Sequence, residues 1–439
     1  MDYQKAFIVQ AVPTDESLIH WEKKGVIING RPAGLSDDFR DPYFFRNGDN
    51  AYIIVGTAKN GIGATTLHKY NPATKTWSND GNIFFAGDSK EQDGTFWEMP
   101  NVTPMGNGKW LFTVTPQNTS NGVHTLYWIG QINADGTFQP DNDKPLDIEL
   151  VNGLGYGLLS PTIYQKDGKT IMLGIVPDKL STTENCELGW AHLYSFPREL
   201  SLDENGLLIQ KPYSGLEDLR VEGGFETDNL SLDGVKTLEG ISGRQLEVKG
   251  EFTVGDVPFG FNVFKGANGY ASVSYSPSDN KLEINLSKLN RKKNDANSFN
   301  GRYVASLPEI PEKGSILTLD VFVDGSILDV FVNDKYATSV RVYPSDKDAD
   351  GVEVFSSNGT VKVNKVNGWI LNSTDGASGN PGGNPDDAGI DDIIQDLPEY
   401  VNVYSINGML IKRNVKAAEI LDSLPRGLYV VGPHKIMVP

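Results

Sequence analysis

Three stretches of this chain follow one plan, and that repeat limits the fold more than any other feature. Each sets a proline ahead of a short strand, a glycine-bearing turn and an apolar strand. They are DPYFFRNGDNAYIIVGTA from Asp41, MPNVTPMGNGKWLFTVTP from Met99 and SPTIYQKDGKTIMLGIVP from Ser160. Pro42, Pro100 and Pro161 stand about sixty residues apart, a period that marks a repeat architecture. Two further strand-like runs follow each, such as TTLHKYNPATKTWSNDG in the first. Four antiparallel strands at this period make a propeller blade, in which radial repetition covers most sheet edges. Residues 5–25, KAFIVQAVPTDESLIHWEKKG, read as the last two strands of a blade, with Trp21 placed much as Trp77 is. The expectation is three whole blades plus half of another, in a chain that is N-terminally truncated relative to a closed ring.

Beyond about residue 222 the pattern changes to strict alternation of apolar and polar residues, as in RQLEVKGEFTV and SILTLDVFVDGSILDVFVND. Hairpin turns such as Val323-Asp324-Gly325-Ser326 join these runs. Two sheets, each solvated on one face, account for that alternation, so a β-sandwich is expected. DGASGNPGGNPDDAG (375–389) has the composition of a flexible linker. A small β module closes the chain. The fold class is all-β, and the expected division is a propeller over 1–215, a sandwich over 216–372, a linker over 373–398 and the module over 399–439.

Charge and composition exclude several functions. The net charge is −18, from 57 acidic and 39 basic residues, which repels a phosphate backbone and makes nucleic acid a poor partner. A neutral ligand suits such a surface. Cys186 is the only cysteine, so no intrachain disulfide forms, and nothing around it activates a thiol. No run of about 18 apolar residues offers a transmembrane span, and the first residues lack the basic and apolar regions of a secretory signal. The five histidines are scattered, without metal-ligand spacing, and no cofactor is expected. KNGIGATT (59–66) lacks the Lys-Ser/Thr ending of a phosphate loop and reads as a hairpin turn.

Chemistry is expected where innermost strands converge on the propeller axis. Asp41 precedes the first repeat proline, and Glu98 with Met99 precedes the second. Carboxylates from adjacent blades at one axial mouth suit glycoside hydrolysis, in which one stays ionised and one donates a proton. Arg40 beside Asp41 favours a carboxylate that keeps its charge, whereas Phe96, Trp97 and Met99 give Glu98 the apolar surroundings of a proton donor. Alone, Arg-Asp-Pro reads as a turn with a surface ion pair; the matched position in two repeats raises the functional reading. Tyr156 and Trp190 are candidates for stacking on a sugar ring, against ordinary packing.

FRDP and FWEMPN resemble two of the three signature blocks of glycoside hydrolase family 32, the fructan- and sucrose-cleaving β-fructosidases. LIHWEKKGVII, FPRELSL (196–202) and SILDVFVND are similar to further segments of that family, collinearly over about residues 5–372. The resemblance implies a five-bladed propeller, here incomplete at about three and a half blades, followed by a β-sandwich, with a retaining mechanism and no metal. It implies that Glu98 is the general acid/base and that Asp41 stabilises the transition state. Arg40 would orient Asp41 or the sugar. Tyr156 and Trp190 join Arg40 and Asp41 as candidate substrate contacts, and the partner would be a fructan, such as levan or inulin, or sucrose. Met99 stands where the family has Cys, and Asn101 where it has Asp. The family's nucleophile lies in an Asn-Asp-Pro-Asn block, and this sequence contains none.

VNVYSINGMLIKR followed by LPRGLYVV resembles the sorting domains that route Bacteroidetes proteins through type IX secretion machinery. That implies a secreted or cell-surface protein. Two other readings stay open at this point: a non-catalytic carbohydrate-binding relative, and a fragment that exposes unpaired strand edges and does not fold stably.

Overall fold

The computed structural model describes residues 6–438, except 121, 123, 151–156, 179, 222–223, 290–300, 345, 347, 373–397, 406–408, 425–426 and 432–433. The linker proposed from composition therefore lies almost wholly outside the described residues. Residues 1–371 form one compact unit and 372–439 another.

The N-terminal half-blade is a two-stranded ribbon, β1 (Phe7–Pro13) with β2 (Trp21–Asn29). Blade A holds β3 (Arg40–Asn47), β4 (Asn50–Lys59) and β5 (Ile62–Asn71), its fourth position shared by β6 (Thr76–Trp77) and β7 (Ile83–Ala86). Blade B orders β8 (Phe96–Gly106), β9 (Lys109–Gln117), β10 (Leu126–Ile132) and β11 (Phe138–Pro140), with β12 (Leu146–Asp147) also on β10. Blade C orders β13 (Leu159–Lys166), β14 (Lys169–Val176), β16 (Arg198–Leu202) and β17 (Leu208–Pro212), with β15 (Leu193–Tyr194) on β14. The expected three and a half blades are present. The run read as a phosphate-loop look-alike is the β4–β5 hairpin, turned by Asn60 and Gly61 with φ of 54° and 73°.

In blades A and B the second strand is covered on both faces, so it is buried almost throughout rather than alternating, whereas in blade C β14 still alternates. In β4, Tyr52 and Ile54 pack toward blade B, while Ile53 and Val55 meet Ile8, Ile28 and Phe39 on the other side. In β9, Phe112 and Val114 face blade A and Leu111 faces blade C. An aromatic cluster of Phe45, Phe84, Phe85, Trp97, Phe112, Trp128 and Phe138 fills the seam between blades A and B, with tilted and edge-to-face rings.

The sandwich grows from one long bent strand. β18 (Phe225–Ser242) is followed by β19 (Gln245–Thr253), β20 (Phe259–Lys265), β21 (Ala271–Ser276), β22 (Lys281–Asn285) and β23 (Arg302–Ser306). Then come β24 (Ile316–Asp324), β25 (Ile327–Val332), β26 (Tyr336–Arg341) and β27 (Gly351–Ile370). β27 pairs with β20 near its start and with β19 near its end, breaking register between at Asn358 and Gly359, both left-handed. One strand thereby serves both layers, and Phe252, Phe259, Phe261, Val321 and Val354 fill the space between. The expected turn at Gly325 closes the β24–β25 hairpin, with φ 57°.

Propeller and sandwich join through buried charge. Arg198, fully buried on β16, donates to Glu149 at 2.6 Å, to Gln210 at 2.8 Å and to Ser339 of β26 at 2.7 Å. Glu149 also accepts the Ser339 N–H at 2.5 Å, and Asp329 of β25 accepts the Phe196 N–H at 2.7 Å. The second unit is a four-stranded sheet in the order β29 (Leu410–Lys416), β28 (Tyr400–Ser405), β30 (Gly427–Val431), β31 (His434–Val438), with Val403, Ile420 and Val431 at its core.

Candidate active site

The innermost strands share one irregularity. Pairing with the next strand breaks register between Arg40 and Tyr43 in β3, between Glu98 and Asn101 in β8, and between Leu159 and Thr162 in β13. Inside each bulge the residue before proline is left-handed: Asp41 at φ 58°, Met99 at 47° and Ser160 at 48°. Proline lacks the N–H that the ladder would use, so pairing stops there. The left-handed conformation costs roughly 1–2 kcal/mol for an L-residue. Three such bulges at one level re-aim the chain at the axis, the usual work of a bulge beside a site.

That register corrects one expectation. Asp41 is equivalent to Met99 and Ser160, whereas Glu98 is equivalent to Arg40 and Leu159. The two carboxylates are offset by one residue, so they do not occupy matched positions. They meet across the blade seam through two cross-links instead. Asp41 Oδ2 accepts the Met99 N–H at 3.0 Å, and Arg40 Nη2 donates to Glu98 Oε1 at 2.5 Å.

Arg40 is the second correction. Its hydrogen bonds go to Glu98 and to Asp38 at 3.1 Å, not to Asp41, and its guanidinium lies 4.7 Å from the Phe96 ring centroid. Glu98 therefore has a cation beside it rather than a wholly apolar setting. The strand alternation explains why: Trp97 is fully buried on the opposite side, with its Nε1–H on the Asp93 carbonyl at 2.7 Å. The Glu98 side chain keeps 27% exposure and Arg40 41%. Among the described residues no protein hydrogen bond occupies Asp41 Oδ1 or Glu98 Oε2, which leaves one oxygen of each for a ligand.

Close packing holds the seam. A Cβ on Gly56, which pairs with Arg40, would lie 2.3 Å from the Trp97 carbonyl oxygen, and one on Gly63 would lie 2.2 Å from the Trp97 ring. Asn101, 5% exposed, donates from Nδ2 to the Met99 carbonyl at 3.0 Å and the Pro161 carbonyl at 2.8 Å, stitching blade B to blade C at bulge level. An ionised Asp there has no N–H to give, so Asn suits two facing carbonyls. The Ser160 N–H donates to Thr115 Oγ1 at 2.8 Å.

Sequence reasoning missed the Asn101 stitch, the Phe96 platform and the Met99 N–H; an amide just after a repeat proline was the available signal for the first. Tyr156 lies outside the described residues. The Trp190 ring lies over Arg341 of the sandwich, 5.5 Å from guanidinium to centroid. Asp37 and Asp38 pair with Arg31 and Arg40. Among the described residues no cluster of His, Cys, Asp and Glu is arranged to hold a metal. A pocket of about 170 Å³ bounded by Asp141, Lys144, Asn205 and Leu207 lies between outer strands of blades B and C, apart from these residues.

Comparison with known proteins follows the same division. Residues 2–212 match the glycosyl hydrolases family 32 N-terminal domain, and residues 216–370 the family's C-terminal domain. A levanase of Bacillus subtilis is 27% identical over 349 residues, covering 75% of this chain and 50% of the levanase. A probable sucrose-6-phosphate hydrolase of Psychromonas ingrahamii is 26% identical over 376 residues, covering 83% of this chain and 62% of that protein. The chain thus spans about half to three-fifths of the length of these two relatives. In fold, fructan 1-exohydrolase IIa from Cichorium intybus superposes with a TM-score of 0.70 at 22% identity, over 83% of this chain and 78% of that one. With both halves of the family's architecture matched in order, the chain belongs to glycoside hydrolase family 32.

Proposed function

We propose that this chain carries the general acid/base and the transition-state stabiliser of a retaining β-fructosidase acting on β-fructofuranosyl linkages in fructans or sucrose. The observation that carries the reading is the double cross-link across one blade seam, Asp41 to the Met99 N–H and Arg40 to Glu98. Relatives named levanase and sucrose-6-phosphate hydrolase support the substrate class. In this mechanism a nucleophilic carboxylate attacks the anomeric carbon while Glu98 gives its proton to the departing oxygen. Glu98 then takes a proton from the water that releases the fructosyl group. Asp41 accepts hydrogen bonds from fructosyl hydroxyls as positive charge builds on the ring. Arg40, lying over the Phe96 ring, holds Glu98 and is a positioning residue.

No residue of this sequence is assigned as the nucleophile, because it holds no Asn-Asp-Pro-Asn block. The same observation favours a second reading, a fructan-binding chain without turnover. The C-terminal module, by its resemblance, would direct the protein outside the cell or to its surface. That part is tested by whether residues 399–439 fused to a reporter cause its export in a Bacteroidetes host.

The catalytic reading is tested by fructose release from sucrose, inulin and levan, with wild type and Glu98→Gln. With a segment bearing an Asn-Asp-Pro-Asn block supplied, activity is expected and should fall about a hundred- to ten-thousand-fold in Glu98→Gln, the range for loss of general acid/base catalysis. Undiminished activity in Glu98→Gln would remove Glu98 from its role. Turnover by the 439-residue chain alone would refute the reading that none of its residues serves as the nucleophile.

A further inference from the structure

We propose that Ser160 is a third axial contact, its hydroxyl hydrogen-bonded to one hydroxyl of the fructosyl unit and so selecting for that hydroxyl. The inference rests on the reading of Asp41 and Glu98 as a fructoside site, and it extends that site to blade C.

Three observations place Ser160 there. It is the blade C equivalent of Asp41 by register, by position before proline and by left-handed backbone, φ 48° against 58°. It lies at the same level along the axis, because Asn101 ties the Met99 carbonyl of blade B to the Pro161 carbonyl beside Ser160. Its backbone N–H is engaged while its side chain is not. The Ser160 N–H is held by Thr115 Oγ1 at 2.8 Å, and Thr125 Oγ1 donates to the Leu158 carbonyl at 2.8 Å. Among the described residues Oγ has no hydrogen-bond partner, and the residue is only half-buried.

A serine with an ordered backbone and an unspent hydroxyl suits a sugar, since it both donates and accepts. Met99, the middle member, is 37% exposed and has no polar group to offer, so its side chain supplies an apolar wall between the two polar ones. The three equivalent positions then present carboxylate, thioether and hydroxyl in sequence, which matches a furanose ring with polar groups on its rim and carbon faces between. Left-handed strain before proline has no structural use in β13 that a glycine would not serve better.

The test is equilibrium binding of methyl β-D-fructofuranoside and its monodeoxy analogues to the full chain, for wild type, Asp41→Ala, Ser160→Ala and Ser160→Gly. Ser160→Gly removes the hydroxyl while favouring the left-handed backbone, so it guards against a folding defect. Both Ser160 variants should bind the parent sugar about 3- to 10-fold more weakly, the range for one neutral hydrogen bond. For one deoxy analogue, wild type and variants should bind alike, because the partner hydroxyl is already missing. Equal binding of the parent sugar by wild type and both Ser160 variants would overturn the proposal while leaving the site intact. Equal losses on every analogue would also overturn it, since they would show a structural role. If wild type binds no fructoside, or Asp41→Ala binds as wild type does, the fructoside reading itself fails and the inference falls with it.

Discussion

Replacing Asp329 by Asn should stabilise the protein, and more so as pH rises. Asp329 sits on β25, fully buried at the joint between propeller and sandwich. Its Oδ2 accepts the Phe196 N–H, but Oδ1 has no hydrogen-bond partner. Burial pushes its carboxyl up to about 7, against the pull of Arg198 and the neighbouring Ser339 hydroxyl and with some help from Glu149. A carboxyl whose folded value lies above its unfolded value of about 3.8 binds its proton more tightly in the native state. Its contribution is fully present below about pH 4 and is lost as pH climbs through about 7. The displacement corresponds to about 4 kcal/mol at the plateau, at roughly 1.4 kcal/mol per pH unit. Asn keeps an oxygen for the Phe196 N–H and never ionises. Asp320, on β24, is pushed up to about 8 by burial and by Glu247, so wild type loses stability over the same window for a second reason. The difference between Asp329→Asn and wild type isolates the first. Urea unfolding from pH 5 to 9 is the assay. The difference should grow through pH 5–7 and level off above about 8. A difference that stays flat, or one that shrinks with rising pH, would refute the argument.

Two further substitutions probe the blade seams. Asn101→Asp replaces two N–H donors by an oxygen facing the Met99 and Pro161 carbonyls, which should cost about 2–5 kcal/mol at pH 8 and less at pH 5, where the protonated acid can donate once; unchanged thermal unfolding at pH 8 would contradict the stitch. Gly56→Ala drives a methyl into the Trp97 carbonyl, so it should cost roughly 1–3 kcal/mol and loosen the Arg40–Glu98 pair, seen as lower stability together with weaker fructoside binding.

How far the sequence could be read follows from the range of each interaction. The repeat exposed the blades because the strand-proline-turn pattern is local and recurs, and alternation exposed the sandwich for the same reason. Asp41 and Glu98 stood out as candidates because Asp41 adjoins a repeat proline and Glu98 lies two residues before one. Their true relation was not legible, since a bulge adds a residue and shifts which neighbour faces which. Arg40 was assigned to its sequence neighbour, but a strand sends adjacent side chains apart, and the blade seam supplied Glu98 as the nearer partner. Trp190 could be read as a sugar platform or as ordinary packing, and its contact with Arg341 was not legible because more than a hundred residues separate the two. The Arg198–Glu149–Ser339 joint links three distant segments, and although Arg198 lies in the FPRELSL run, nothing local in the sequence names its partners.

That joint also governs how such proteins can be recombined. Glu149 stands a few residues before the segment that enters blade C at Ser160, and it is satisfied partly by the propeller's Arg198 and partly by the sandwich's Ser339. A chimera that takes its propeller from one relative and its sandwich from another must preserve both halves of that handshake. Otherwise it strands an arginine or a carboxylate in a dry interface. An exchange of either domain alone therefore has to carry its half of that joint with it.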